Sequence, residues 1–329
     1  MTTGENCRIS VAVAACRGER YLGELLSSLL RQETPVDEVV ITDDSPDDRT
    51  GQVVRGFADQ LFIRYFRNDR QLGINRNFER AIALCRGKFI FCCDQDDVWK
   101  PEKTTRLLAA LRENPAADGA FCNSNIVDAE LRPTGRTLWQ LRNFTGTFPD
   151  GQLRDFLRRV PLSGHNMAFK SELRGKLLPF PDLEPFFYDT WIGLVLAAQE
   201  SWVAVDAALT DYRWHGDNAS CPMSAGCRSW RAAASARAGH SLRRSAELAS
   251  ALLERLSGLS PARRELLADY REHYLVRDAY ARNRFRRFLQ IASEWRRGRY
   301  QRYANGAAAA LADWCFVAEK SQNDPTRPD

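Results

Sequence analysis

Apolar positions along the first hundred residues follow two periods. The run Arg8-Ile9-Ser10-Val11-Ala12-Val13-Ala14 reads as a fully buried strand. Between Glu19 and Gln32, Leu22, Leu25, Leu26, Leu29 and Leu30 recur at the spacing of one helix face. The pair then repeats. Strands are predicted at Val36 to Thr42, Leu61 to Phe66 and Phe89 to Cys93, with helices at Asp47 to Ala58 and Ile74 to Arg86. Such alternation predicts βαβ units and a parallel sheet, hence an α/β fold.

From residue 120 the pattern is less regular. Phe121-Cys122-Asn123 and Asn166-Met167-Ala168-Phe169 read as strands, and Phe187 to Gln199 as a helix. Val203 to Val205 and Leu209 to Trp214 read as two short strands. Beyond about residue 228 Ala, Arg and Leu dominate, with helical spacing at Leu242, Ser245, Leu248, Leu252 and Leu256. Ser260-Pro261 is a helix restart, with Ser as the cap and Pro in the first turn. Three helices are expected there. The chain thus divides into 1–224, a helical region 225–322, and a Pro-containing polar tail, 323–329, expected to be disordered.

Composition narrows the class. Hydrophobic residues make up 44% and charged residues 27%, as in soluble globular chains. No run of eighteen apolar residues offers a membrane-spanning helix. The opening MTTGENCRIS lacks the charged-then-apolar order of a signal peptide. Nine cysteines, with no CxxC pair or Cys/His zinc spacing, read as reduced thiols of a cytoplasmic protein. Charge is uneven. Residues 225–329 carry 20 Lys and Arg against 11 Asp and Glu, and residues 1–224 the remaining 27 against 31. A basic, Arg-rich third suggests an acidic partner such as anionic lipid; solvated helix faces are the plain alternative.

The chemistry lies at strand ends. In FIFCCDQDDVWKPEK a buried strand runs into Asp94, Asp96 and Asp97. Three carboxylates there need a divalent cation, a basic partner or solvent to offset them. Asp43-Asp44 ends the second strand in the same way, and ligands of such sheets sit beyond the carboxyl ends of the strands. There is no GxxxxGK[ST] loop, no GxGxxG after the first strand and no GxSxG turn, so a phosphate ligand would be held mainly through a metal.

Taken in order, ISVAVAACRGERYLGELLSSLLRQ, VVITDDSPDDRT, RNDRQLGINRNFERAI and FIFCCDQDDVWKPEK resemble the nucleotide-sugar-binding half of family-2 glycosyltransferases of the GT-A fold. LSGHNMAF, FYDTWIGLVLA and YRWHGDNAS extend the resemblance to a bacterial subgroup acting on cell-surface polysaccharides, often with rhamnose. The resemblance implies nucleotide-sugar contacts at Ala14, Glu19, Asp43, Arg76, Asp94 and Gln95, with Asp43 on the base. It implies a metal, Mg²⁺ or Mn²⁺, held by Asp96 and His215, and a general base at Asp189, which could otherwise be a helix cap. Gly164, His165, Asn166 and Trp191 are the expected acceptor contacts; a tight turn and a large core hydrophobe are the alternatives. The chain departs from the family at Ala15-Cys16-Arg17-Gly18, where Thr/Pro-Tyr-Asn-Gly is usual.

The expected activity is inverting, metal-dependent transfer from a dTDP-, UDP- or GDP-linked sugar to a lipid-linked glycan of an O-antigen, capsule or exopolysaccharide. Peripheral contact of the basic helices with the inner membrane face is expected; a homo-oligomer is compatible and no nucleic acid is expected. The alternative is a degenerate, non-catalytic GT-A protein with a basic lipid- or nucleic-acid-binding tail.

Overall fold

The computed structural model describes residues 9–147, 152–158, 160–183, 187–215, 230–281 and 283–315. These fall into two compact units, one within Met1–Phe180 and Phe186–Cys221, the other within Pro181–Pro185 and Pro222–Asp329. The tail expected at 323–329 lies outside the described residues.

The first unit is built on a nine-stranded sheet. Its strands are β1 (Ile9–Ala15), β2 (Glu38–Asp43), β3 (Ile63–Arg67), β4 (Phe89–Asp94), β5 (Val98–Trp99), β6 (Gly119–Val127), β7 (Pro133–Thr137), β8 (Met167–Lys170) and β9 (Trp202–Arg213). They lie in the order β3-β2-β1-β4-β8-β6-β9-β5, with β7 paired to β6. The helices are α1 (Leu22–Leu30), α2 (Arg49–Arg55), α3 (Ile74–Leu84), α4 (Lys103–Glu113), α5 (Leu138–Arg142), α6 (Gln152–Arg158), α7 (Arg174–Leu177) and α8 (Tyr188–Gln199).

The two periods of the sequence meet in the core. Ile9, Val11, Val13 and Ala15 of β1, Val39 and Ile41 of β2, and Phe91 and Cys93 of β4 pack with Leu22, Leu25, Leu26 and Leu29 of α1 and Leu107, Leu108 and Leu111 of α4. Burying each such leucine contributes about 1.5–3 kcal/mol. Alternate residues, Ala12, Val40, Ile90 and Cys92, are buried too. Both faces are therefore covered, as parallel strands require.

The sheet is mixed, as the Rossmann-like GT-A resemblance implies, with a parallel part where the βαβ alternation predicts one. β1, β2, β3 and β4 pair in parallel, but β8 runs antiparallel to both β4 and β6. The two short strands expected at 203–205 and 209–214 are one strand, β9, paired to β6. Register shifts opposite Cys122-Asn123-Ser124 take up the residues that break the alternation, so the interruption is a bulge rather than a loop.

The second unit is helical. It contains α9 (Trp230–Arg255), α10 (Pro261–Asp278), α11 (Arg284–Arg296), α12 (Arg299–Tyr303) and α13 (Ala307–Cys315), five segments where three were expected. The extra breaks have local causes. Asn283 caps α11 by accepting from the Phe285 and Arg286 amides. Gly298 and Gly306 take positive φ, the conformation that ends a helix.

Candidate active site

Strand register assembles the site. Ala15 of β1 pairs with Asp43 of β2, and Ala14 with Asp94 of β4, so both acidic strand ends share one edge of the sheet. Asp43, the expected base contact, is fully buried. Its carboxylate accepts from the Ser45 amide at 2.9 Å, the Ser45 hydroxyl at 2.6 Å and the Tyr65 hydroxyl at 2.6 Å. It is a structural staple. Asp44, its neighbour, lines a pocket of about 220 Å³ with Cys16, Arg17, Arg67 and Asn68. The Asp44 carboxylate gathers the Asn68 side-chain amide (2.5 Å) and the backbone amides of Leu72 (3.0 Å) and Gly73 (2.8 Å).

Three other expected donor contacts are committed elsewhere. The Gln95 amide donates to the Cys16 carbonyl and accepts from the Cys16 N–H, each at 2.9 Å, so it clamps the loop after β1 to the turn after β4. Glu19 pairs with Arg49 at 2.9 Å. Arg76 pairs with Glu79 at 2.8 Å and donates to the Phe180 carbonyl at 3.1 Å. Arg17, where the family usually has Asn, holds φ 53° with its amide donating to the Ser45 hydroxyl at 2.7 Å.

The Asp94–Asp97 turn carries the strongest field. Asp96 and His215 meet at 2.9 Å. Asp97 is fully buried; one carboxylate oxygen accepts from the Arg213 amide at 3.1 Å, and Oδ2 has no hydrogen-bond partner. His165 Nδ1, also buried without a hydrogen-bond partner, lies 3.6 Å from Asp94 Oδ2 and 3.6 Å from Asp97 Oδ2. These three donors sit within 4.8 Å of one another, a cluster the sequence pattern did not single out. Burial, then the neighbouring Asp96 charge, raises the carboxyls of Asp94 and Asp97 above the ordinary carboxylate range. Lys103, with no exposed surface, donates to the His165 carbonyl (2.6 Å) and Thr210 (2.9 Å) and offsets part of this charge.

Arg213 holds the turn from the other side. Its guanidinium donates to the Asp96 carbonyl at 2.8 Å and to Glu24 at 2.6 Å, and lies 4.4 Å from the Tyr21 ring centre. Lys103 closes the stretch FIFCCDQDDVWKPEK and Arg213 lies in YRWHGDNAS, but sequence reading gave neither of them a role.

Asp189 sits inside the first turn of α8, not at its cap, and accepts from the Thr190 amide (2.7 Å) and the Gly164 amide (3.2 Å). Burial raises its pKa; Arg142 opposes this, and the charge of Asp94 adds to it. That mutual effect puts Asp94 and Asp189 in one electrostatic neighbourhood.

The four expected acceptor contacts, Gly164, His165, Asn166 and Trp191, are all buried. His165 is buried, paired to Ser124 at 2.9 Å and stacked on Tyr212 at 4.7 Å. Burial, then Lys103 and Arg142, pushes its imidazole down to about 3, so it stays neutral. Asn166 has no exposed surface; its side-chain carbonyl accepts from the Ser163 amide. Gly164 is buried because a β-carbon there would fall 1.6 Å from the Tyr188 hydroxyl. Trp191 is wholly buried, its indole N–H donating to the Leu177 carbonyl at 3.0 Å. Trp191→Phe is expected to destabilise the fold by about 1–3 kcal/mol, by leaving the Leu177 carbonyl and part of the cavity unfilled, without changing acceptor KM. Chemical denaturation and acceptor titration check the two halves.

The description Glycosyl transferase family 2 matches residues 10–178, more than half of the chain. The chain belongs to glycosyl transferase family 2. Among family members, it is 24% identical over 233 residues to an uncharacterized glycosyltransferase of Nostoc sp. (strain PCC 7120 / SAG 25.82 / UTEX 2576), covering 64% of this chain and 66% of that one. It is 31% identical over 112 residues to the poly(ribitol-phosphate) beta-N-acetylglucosaminyltransferase TarS of Staphylococcus aureus, covering 32% of this chain and 19% of TarS. The chain thus spans at most about two thirds of these relatives' length. The crystal structure of TarS 1–349 superposes with a TM-score of 0.57 at 17% identity, covering 81% of this chain and 71% of that one. The fold is GT-A, with a helical C-terminal region.

Proposed function

We propose that this glycosyltransferase moves a sugar, with rhamnose among the candidates, from a nucleoside diphosphate to a hydroxyl of a growing cell-surface glycan. Transfer inverts the anomeric centre and depends on Mg²⁺ or Mn²⁺. The observation that carries this is that Asp94, at the sheet edge that also bears the Asp44 pocket, stands in one turn with Asp96 and raises the carboxyl of Asp189 by its charge.

In this reading the Asp44 pocket takes the nucleoside. TarS has been solved with UDP and with UDP-GlcNAc, which supports a nucleotide-sugar donor here and leaves UDP, dTDP and GDP to be compared. Asp94, with 37% of its side chain exposed, faces the sugar diphosphate. The fit of a cation is supported by the raised, under-neutralised carboxyls of the turn and by two imidazoles beside them. A bridging ion must leave positions open to phosphate oxygens. Asp96 and His215, with side chains 14% and 11% exposed, suit that better than Asp97 and His165, at 0% and 1%. When bound, the ion supplies Lewis-acid stabilisation of the departing diphosphate. Asp189 accepts the proton of the attacking hydroxyl, and Gly164 and Thr190 orient its carboxylate.

The transfer region is taken as 1–224, in the cytoplasm, and the acceptor as a glycan on a lipid diphosphate. The helical region then meets the inner membrane face, as developed below.

The test is a thermal-shift screen against UDP, dTDP and GDP with and without Mg²⁺ or Mn²⁺, followed by transfer assays with matching sugars. A metal-dependent rise in melting temperature with one nucleotide is expected. Asp44→Ala should weaken that nucleotide about tenfold, because three donors lose their acceptor and the pocket wall loosens. No shift with any nucleotide would overturn the reading.

A further inference from the structure

We infer that the outer face of α11 and α13 is a docking surface for an anionic phospholipid bilayer. This specifies the membrane contact proposed above, and its test needs neither donor nor metal.

Along α11, Phe285, Phe288, Leu289, Ala292 and Trp295 recur at i, i+3, i+4, i+7 and i+10, which aligns them on one helix face. Helices of a packed domain turn such a stripe inward. Here it faces out: Phe285 is 70% exposed, Phe288 53%, Leu289 52% and Trp295 42%. What α11 turns inward is charged. Glu294 is buried against His273 at 2.7 Å and Arg299 at 3.0 Å, and Arg287 is buried as well. The amphipathic sense of the helix is inverted relative to its own domain.

α13 continues the surface. Its Leu311 is 63% exposed, beside exposed Ala308 and Ala312. Phe288 and Trp314 join the two helices with ring centres 5.8 Å apart, and the Arg284 guanidinium lies 5.6 Å from the Trp314 ring centre.

Charge selects the occupant. Arg284, Arg286 and Arg296 stand exposed around the stripe. Among the described residues of α11 and α13 the carboxylates are Glu294 and Asp313, and both are buried in ion pairs, Asp313 with Arg277 at 2.7 Å. The face therefore shows water apolar side chains and positive charge. In a two-fold dimer through this face those arginines would oppose one another. An anionic bilayer meets both components: aromatic and leucine side chains enter the headgroup boundary, and the arginines gain attraction to the lipid phosphates.

The experiment is cosedimentation of the full-length chain with vesicles of neutral phosphatidylcholine, or of phosphatidylcholine with about a third phosphatidylglycerol, at low and high salt. Binding is expected to the anionic vesicles alone and to fade with salt. Arg284→Gln with Arg286→Gln should weaken it roughly 25-fold, at about fivefold per arginine. Phe288→Ser with Leu289→Ser should abolish it while leaving the melting temperature and nucleotide binding of the free protein unchanged. Equal binding to neutral vesicles, or none at low salt, overturns the inference. So does a concentration-dependent dimer in sedimentation equilibrium that Phe288→Ser/Leu289→Ser dissolves, which would assign the face to a second copy. Tight, salt-sensitive capture of an oligonucleotide without vesicle binding would assign it to nucleic acid.

Discussion

Asp96→Ala is expected to lower transfer by about 10³-fold or more and to erase the metal-dependent part of nucleotide binding. A cation on a leaving diphosphate supplies several kcal/mol of charge stabilisation, and each 1.36 kcal/mol is tenfold in rate. Asp96 is suited to hold it because its carboxylate meets His215 at a partly open position while its own backbone carbonyl is fixed by Arg213. Asp96→Asn is the companion variant: it keeps the shape and the contact with His215 but loses the anionic charge, so it should fail almost as badly. Calorimetric titration of nucleotide with and without Mn²⁺ separates binding from chemistry. Full activity of Asp96→Ala would remove Asp96 from the metal site and shift attention to the cluster of half-buried Asp94 with buried Asp97 and His165.

Asp189→Asn should lower kcat by roughly 10²–10⁴-fold with donor affinity nearly unchanged, as for a lost general base. The amide keeps the shape but has one accepting oxygen, so it holds one of the Gly164 and Thr190 amides and gives up the other, at a cost of about 1–3 kcal/mol that the fold is expected to survive. A pH profile gives an independent readout. The base works as a carboxylate, so activity rises as Asp189 deprotonates. Because burial and Asp94 raise its pKa, that rise lies above the value of about 3.9 for an ordinary aspartate. The rise should be missing from the residual activity of Asp189→Asn. A collapse of donor binding in that variant would instead make Asp189 a scaffold residue.

The strands that carry the acidic ends were legible because β2 and β4 are apolar runs stopped by aspartate. Which member of Asp43-Asp44 faces the pocket was not. Successive strand residues point to opposite faces, and the choice follows from Tyr65 on the neighbouring strand reaching Asp43. The segment Ser163 to Asn166 reads in sequence as an acceptor contact or a tight turn before a strand. It is buried because β8, which it enters, lies between β4 and β6 in mid-sheet. Trp191 opens a stretch of α8, residues 191–198, that is buried throughout, which the helical spacing alone does not announce. Lys103 and Arg213 left no local signal, since their partners are 62 to 189 residues away in sequence. The pairing of Asp96 with His215 at 2.9 Å was expected through resemblance, not spacing.

The Gln95 clamp and the Arg213 brace together have a thermodynamic consequence. The loop after β1, the Asp94–Asp97 turn and the end of β9 are tied to one another by side chain-to-backbone bonds. A cradle cross-braced by its own hydrogen bonds requires little ordering on binding, so less of the interaction energy is lost to immobilising protein groups. Nucleotide association should then show a small heat-capacity change and single-phase kinetics without a slow folding step. Cutting the clamp by Gln95→Ala should turn a rigid receptor into one that must be assembled around each donor.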